Sequence, residues 1–218
     1  MRLSVWMEIQ YHYGEMGIAN LALALGSSLT AGLNLYLTVL TLGLMDRFGV
    51  LNLPGNLQVL SHGWVLVTAA FLLSIEFLAD KIPYLDNAWD TIHSFVRVPA
   101  GAVLAASALG EVPNQVLWVA ALVGGFVSLS AHGAKASTRL AVNSTPEPFT
   151  NWFLSLAEDG LSLVILWLVS SHPALAIGIS LALVGAFSLL VFLFYRFFKA
   201  IFSARTSTRV RNWRLHLK

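Results

Sequence analysis

The chain contains no cysteine. That excludes disulfide cross-links, a thiolate metal site and a cysteine nucleophile. Charge is scarce as well: Asp, Glu, Lys and Arg make up 11% of the 218 residues, where soluble domains run nearer about 25%. With 57% hydrophobic residues and a mean hydropathy of +0.73, the composition is that of a chain dissolved in lipid. The length suits one domain and no separate soluble module. A cleavable leader is not expected. Met1–Gly14 carries Glu8 and is too polar for the apolar core of a signal peptide, and the apolar run from near Met16 is too long. The first span is therefore expected to act as an uncleaved signal anchor.

What charge there is falls in two clusters and a tail. Glu76, Asp80, Lys81, Asp86, Asp90, His93 and Arg97 form the first cluster. His132, Lys135, Arg139, Glu147, Glu158 and Asp159 form the second. A charged side chain at membrane depth costs about 2.5–3.5 kcal/mol on insertion scales, so such residues are rarely idle. The tail from Arg196 holds Arg196, Lys199, Arg205, Arg209, Arg211, Arg214 and Lys218 and no acid. A basic tail after a last span is retained in the cytoplasm and touches anionic lipid. No nucleic-acid partner is expected; membrane lipids are, and a homo-oligomer is compatible with the sequence.

A membrane-spanning helix needs about 20 apolar residues. Ile18–Met45 reads as one span, tilted or interrupted at the small-residue stretch Gly26-Ser27-Ser28-Leu29-Thr30-Ala31-Gly32. Trp64–Ala79, Val116–Ala131 and Ala174–Phe198 read as further spans. Pro99–Gly110 and Leu161–Ser171 are too short alone. To cross they must borrow from their N-terminal sides, reaching Thr91 and Trp152 and so taking in His93, Arg97, Glu158 and Asp159. Otherwise they are broken or re-entrant helices, tolerated only inside protein or beside water. The expected fold is an all-α, polytopic transmembrane helical bundle of about six membrane segments, two of them short or broken. Residues 1–17 would be an N-terminal cytoplasmic segment, 18–198 the transmembrane domain and 199–218 the basic cytoplasmic tail. With both termini inside, only Arg47 of the 13 Lys and Arg residues lies outside, as the positive-inside rule requires. Three spans per half invite an inverted-repeat reading, but no residue-level match between the halves supports one.

On a helix from Leu85 to Arg97, the residues Asp86, Asp90, His93 and Arg97 share one face, opposite Leu85, Ala88, Trp89, Ile92 and Val96. One reading is an interfacial helix with a solvated polar face. The other lines a cavity, with the aspartate pair offering oxygen ligands to a divalent cation such as Mg²⁺. Glu76 and Asp80 are one turn apart, and Asp80 with Lys81 reads as a local ion pair at the membrane boundary. His132, Lys135 and Arg139 share a face and either neutralise the first cluster or hold an anion. Asn143-Ser144-Thr145-Pro146-Glu147-Pro148 reads as a helix restart, with Thr145 as cap and Pro146 in the first turn. Acids outnumber bases near the inner side: Glu76, Asp80, Asp86, Asp90, Glu147, Glu158 and Asp159 against Lys81, Arg97, Lys135 and Arg139. Perfect pairing leaves acids over, which favours a water-accessible cavity over a sealed core.

The run Ile75-Glu76-Phe77-Leu78-Ala79-Asp80-Lys81-Ile82-Pro83-Tyr84-Leu85-Asp86, with Trp89-Asp90, His93, Arg97 and Ala100-Gly101-Ala102, is distinctive, as are Ala131-His132 to Arg139 and Asn143 to Asn151. These stretches resemble the domain-of-unknown-function 4126 family of bacterial membrane proteins, over roughly Ala24 to Gly160. The resemblance implies a polytopic protein of the bacterial inner membrane and assigns no activity. The residues themselves point to a transporter or channel for a cation, a proton or a small cationic solute. Its binding residues would be Glu76, Asp80, Asp90, His93, Arg97, His132, Lys135, Arg139, Glu158 and Asp159. Two alternatives stand beside it. One is a Mg²⁺-dependent intramembrane enzyme acting on a lipid or isoprenoid phosphate, although no complete signature for that chemistry is present. The other is a membrane scaffold or assembly factor. The sequence requires no cofactor; a divalent cation is the one it is compatible with.

Overall fold

The structure, a computed structural model, describes residues 2–82, 85–143 and 148–215, with side chains for 17–82, 85, 88–143 and 149–200. Among the described residues it is all-α, helices joined by short turns with no strand. The order is α1 (Arg2–Leu33), α2 (Leu35–Arg47), a short 3-10 turn (Gly55–Ser61), α3 (Gly63–Ala79), α4 (Leu85–Ala108), α5 (Asn114–Val142), α6 (Pro148–Ser171) and α7 (Pro173–Leu215). The borrowing expected of the two short apolar segments is what α4 and α6 do. Each runs on through its polar N-terminal half as one helix, and α4 absorbs Pro99 without ending.

The second half of α1 is the axis of the bundle. Every residue from Ala22 to Leu35 is buried, on all sides of the helix. A helix that is buried all round must be surrounded, and α4, α5, α6 and α7 all pack against α1. The small residues make this closeness possible. A Cβ on Gly32 would run into the Ser128 carbonyl oxygen, and one on Gly124 into the Cβ of Ala105 and the Gly101 carbonyl. Ser28 Oγ donates to the Gly101 carbonyl at 2.8 Å and Ser128 Oγ donates to the Arg97 carbonyl at 2.9 Å, tying α1 and α5 to the backbone of α4 on either side of Pro99. In lipid no water is at hand to take such bonds, so side-chain hydroxyls take them.

The first span does break, but at Asn34 and not in the glycine- and serine-rich stretch. That stretch stays helical: the Ser28 hydroxyl shares its one proton between the Ala24 carbonyl and the Gly101 carbonyl, and Thr30 donates back to the Gly26 carbonyl. Asn34 is extended (φ −146°, ψ 101°), and its Oδ1 accepts from the Leu37 N–H at 2.9 Å to cap α2.

The outside of the bundle is apolar. Trp64, Phe71, Phe95, Trp118, Leu122 and Phe153 are among many large exposed hydrophobics, far beyond the patch a soluble protein shows. Three helices, Asn114–Val142, Phe149–Ser171 and Pro173–Ala200, are long and apolar enough to cross a membrane. The 3-10 turn and α3, bent by 63°, make a fourth if counted together, and Gly17–Leu33 is a shorter apolar stretch. α4 is inside out: Asp90, His93 and Arg97 are buried, while Ile92, Phe95 and Val103 face outward. The solvated polar face expected of a surface helix is therefore turned inward, because α1 and α5 cover it.

Candidate functional site

Five parts of the chain meet on one buried charge network. The C-terminal turn of α3 brings Glu76 and Asp80, α4 brings Asp90, His93 and Arg97, α5 brings His132, Lys135 and Arg139, and α6 brings Glu158 and Asp159. The α1–α2 break supplies the Leu33 carbonyl and Asn34. The two clusters separated in sequence are thus one in space.

Lys135 is the hub. Its ammonium lies 3.1 Å from Asp80, 3.5 Å from Glu76, 3.6 Å from Glu158 and 3.9 Å from Asp90. It also donates to the Leu33 carbonyl at 3.4 Å, one of the acceptors freed where α1 stops. Arg97 donates through Nη1 to Asp90 at 2.8 Å and through Nη2 to Glu76. Arg139 donates to Glu158 at 2.9 Å and to the backbone carbonyls of Asp80 and Asn151, both at 3.2 Å. Arg97 and Arg139 are fully buried, as is Glu76. Removing such ions from water costs several kcal/mol each, which only dense mutual pairing offsets.

The histidines are oriented by this frame. His132 Nδ1 faces the Arg97 guanidinium at 3.1 Å, and a guanidinium can only donate, so Nδ1 accepts and the ring proton sits on Nε2. Nε2 then donates to Ser94 Oγ at 2.6 Å, and Ser94 passes its own proton to the Asp90 carbonyl at 3.0 Å. His93 donates through Nδ1 to the Trp89 carbonyl and accepts through Nε2 from the Tyr36 hydroxyl, both at 2.8 Å. Its ring also stacks on Trp89.

The network is sealed apart from Glu158 and Asp159 at its edge, which corrects the expectation of a water-accessible cavity. Acids and bases interleave closely enough that one cation serves several carboxylates. The count still does not balance. Glu76, Asp80, Asp90 and Glu158 face Arg97, Lys135 and Arg139, four negative charges against three positive. The second oxygens of three of them (Glu76 Oε2, Asp80 Oδ1 and Asp90 Oδ2) are buried and have no hydrogen-bond partner among the described residues. Asp159 stands at the edge, half-buried, and accepts from Asn34 Nδ2 at 2.9 Å.

Lys81 does not make the ion pair expected with Asp80. It donates to the Phe77 carbonyl at 2.9 Å and lies over the Phe77 ring, while Asp80 turns to Lys135 and Arg139. Partial burial holds Lys81 below the usual lysine range, against the opposing pull of Asp80. Half of the aspartate pair read as oxygen ligands is described. Asp90 is committed to Arg97, the Asp86 side chain lies outside the described residues, and among the described residues no three His, Asp or Glu side chains are grouped to hold a metal. Thr145, Pro146 and Glu147 of the restart signal also lie outside the described residues. Asn34, Tyr36, Ser94, Asn151 and Ser155, whose Oγ donates to Asp80 Oδ2 at 3.4 Å, were not among the expected site residues. Of these only Asn34 carries a signal, a capping residue directly ahead of an apolar helical run.

Comparison with known proteins agrees with the residues. The family described as "Domain of unknown function (DUF4126)" matches residues 21–193. The match takes in the whole network and most of the chain, and the chain belongs to that family. No curated protein and no solved structure gave a match.

Proposed function

We propose that this member of the DUF4126 family is a small multi-pass membrane transporter whose buried charge network carries a proton or a small cation. One observation carries the reading: a sealed network with one more carboxylate than cations and three carboxylate oxygens left without donors. Unfilled acceptors in a dry interior are costly. A proton or a small cation fills them and cancels the surplus charge. The break at Asn34 supports the same reading. Discontinuous helices whose free ends meet at a buried polar site are how many transporters hold and release an ion, and here the free end of α1 meets Lys135.

The reading extends to the membrane. Counting the broken α1–α2 as one segment, α3 to α7 complete six, with both termini on the cytoplasmic side of a bacterial inner membrane and lipid around the apolar exterior. The lysine and arginine distribution supports that orientation.

The test is flux. Full-length protein in liposomes loaded with a proton-, sodium- or potassium-sensitive dye, one per experiment, is expected to dissipate an imposed gradient of at least one of these ions. Glu76→Gln, which touches both Arg97 and Lys135, is expected to abolish that flux, while Glu111→Gln in the exposed α4–α5 turn retains it. No flux of any of the three ions in the parent protein, or equal flux in Glu76→Gln at matched incorporation, overturns the proposal.

A further inference from the structure

The network has an edge that reaches the outer, apolar face of the bundle. There, beside α2, α3 and α6, a groove is lined by Leu37, Leu73, Ser74, Phe77, Leu78 and Asp159. Apart from Ser74, whose hydroxyl already donates to the Ala70 carbonyl, Asp159 is the polar member of this lining. One of its oxygens takes the Asn34 amide. Asn34 sits at the α1–α2 break, and the adjacent Glu158 holds Arg139 and Lys135.

We propose that this groove binds an amphiphilic monocation, an ammonium group carrying a short apolar body, with the charge against Asp159 and the body along Leu37, Leu73 and Phe77. The proposal rests on the transport reading and names the class of cation that reaches the network from the side. Three features select that class. Adding Asp159 to the network, with Lys81 beside it, makes five carboxylates against Arg97, Lys135, Arg139 and Lys81, so the net charge at the groove is negative and favours a cation over an anion. Lys81, a nearby positive charge, is turned onto the Phe77 ring and carbonyl and makes no ion pair with Asp159 among the described residues. The groove walls are aliphatic and aromatic and face the membrane side. A hydrated inorganic ion gains nothing there, whereas an alkyl body does.

Coupling to the rest of the molecule follows from position. An ammonium on Asp159 shares that carboxylate with Asn34 Nδ2. Asn34 caps α2 and fixes the break, so occupancy at the edge bears directly on the helix end that meets Lys135.

The probe is radiolabelled octylammonium, bound to purified full-length protein in neutral detergent. Saturable binding is expected, with octanol and octanoate competing roughly tenfold or more weakly, because truncating or omitting one partner of a partly desolvated charge pair costs that much at least. Asp159→Asn keeps the shape and an acceptor for Asn34, and is expected to weaken binding by a similar factor. Leu73→Trp fills the groove without touching the network and is expected to abolish binding while retaining any proton flux. Octanol competing as well as octylammonium, unsaturable binding, or full affinity in both variants overturns the proposal. Glu76-dependent flux without octylammonium binding would sink this inference and leave the transport reading standing. Asp159-dependent binding in a protein that conducts nothing would do the reverse.

Discussion

Lys135→Met is the most informative single change, because it asks whether water reaches the network. Met matches the length of the lysine stem and removes only the charge. In the structure the ammonium contacts four carboxylates and a carbonyl, between 3.1 and 3.9 Å away. At an effective dielectric of about 20, the Asp80 contact alone corresponds to about 5 kcal/mol of Coulomb attraction before desolvation is subtracted. After substitution Glu76, Asp80, Asp90 and Glu158 are left with Arg97 and Arg139, so the uncompensated charge doubles in a site without solvent. Breaking one partner out of a buried ionic network typically costs about 3–5 kcal/mol, and that is the loss expected here. The assay is equilibrium unfolding in mixed micelles of rising sodium dodecyl sulfate fraction, followed by far-UV circular dichroism. Adding Glu76→Gln to Lys135→Met removes one of the stranded charges. The double variant is therefore expected to fall short of the summed single losses by about 1 kcal/mol or more. A loss below about 1 kcal/mol for Lys135→Met is the size seen for solvated surface pairs. It would refute the sealed network and reinstate a water-filled cavity.

Four further outcomes are expected. Gly124→Ala pushes a methyl into Ala105 and the Gly101 carbonyl and should cost about 1–3 kcal/mol in the same assay. Gly178→Ala, with nothing within 4 Å of the new methyl, should stay within about 0.5 kcal/mol of the parent. Asn34→Ala removes the cap of α2 and the Asp159 hydrogen bond and should destabilise by about 0.5–2 kcal/mol. A reporter fused after Lys218 should be active only in its cytoplasmic form, and one at Pro54-Gly55 only in its external form; the opposite pattern would invert the topology.

Most of the helices were legible in the sequence because apolar run length and the reach of a helix are linked by simple geometry. That link made α4 and α6 extend back through charged residues, and the charge clusters then had to meet, since neither could stay buried alone. Two things were not legible. The run from Gly26 to Gly32 looks like a breaking point, yet glycine and serine also mark where helices approach closely, and only the neighbours decide between the two. Here Ser128 and Val169 press on those glycines, and the helix runs straight through. The sealing of the network was hidden for a related reason. A charge count assigns each base to one acid, whereas Lys135 sits among four, a sharing that depends on three helices converging on one point.

The burial of α1 also fixes an order of events during synthesis. Ala22 to Leu35 leaves the ribosome ahead of every other described membrane segment, but the surfaces that enclose it belong to α4, α5, α6 and α7. Its Ser27, Ser28, Thr30 and Asn34, all buried in the finished protein, have no tertiary partners when they first meet the bilayer. The helix made first is the last to reach its native surroundings. Until α7 emerges, a growing chain holds an unfinished axis, open to whatever insertion machinery or neighbouring helix can shelter it.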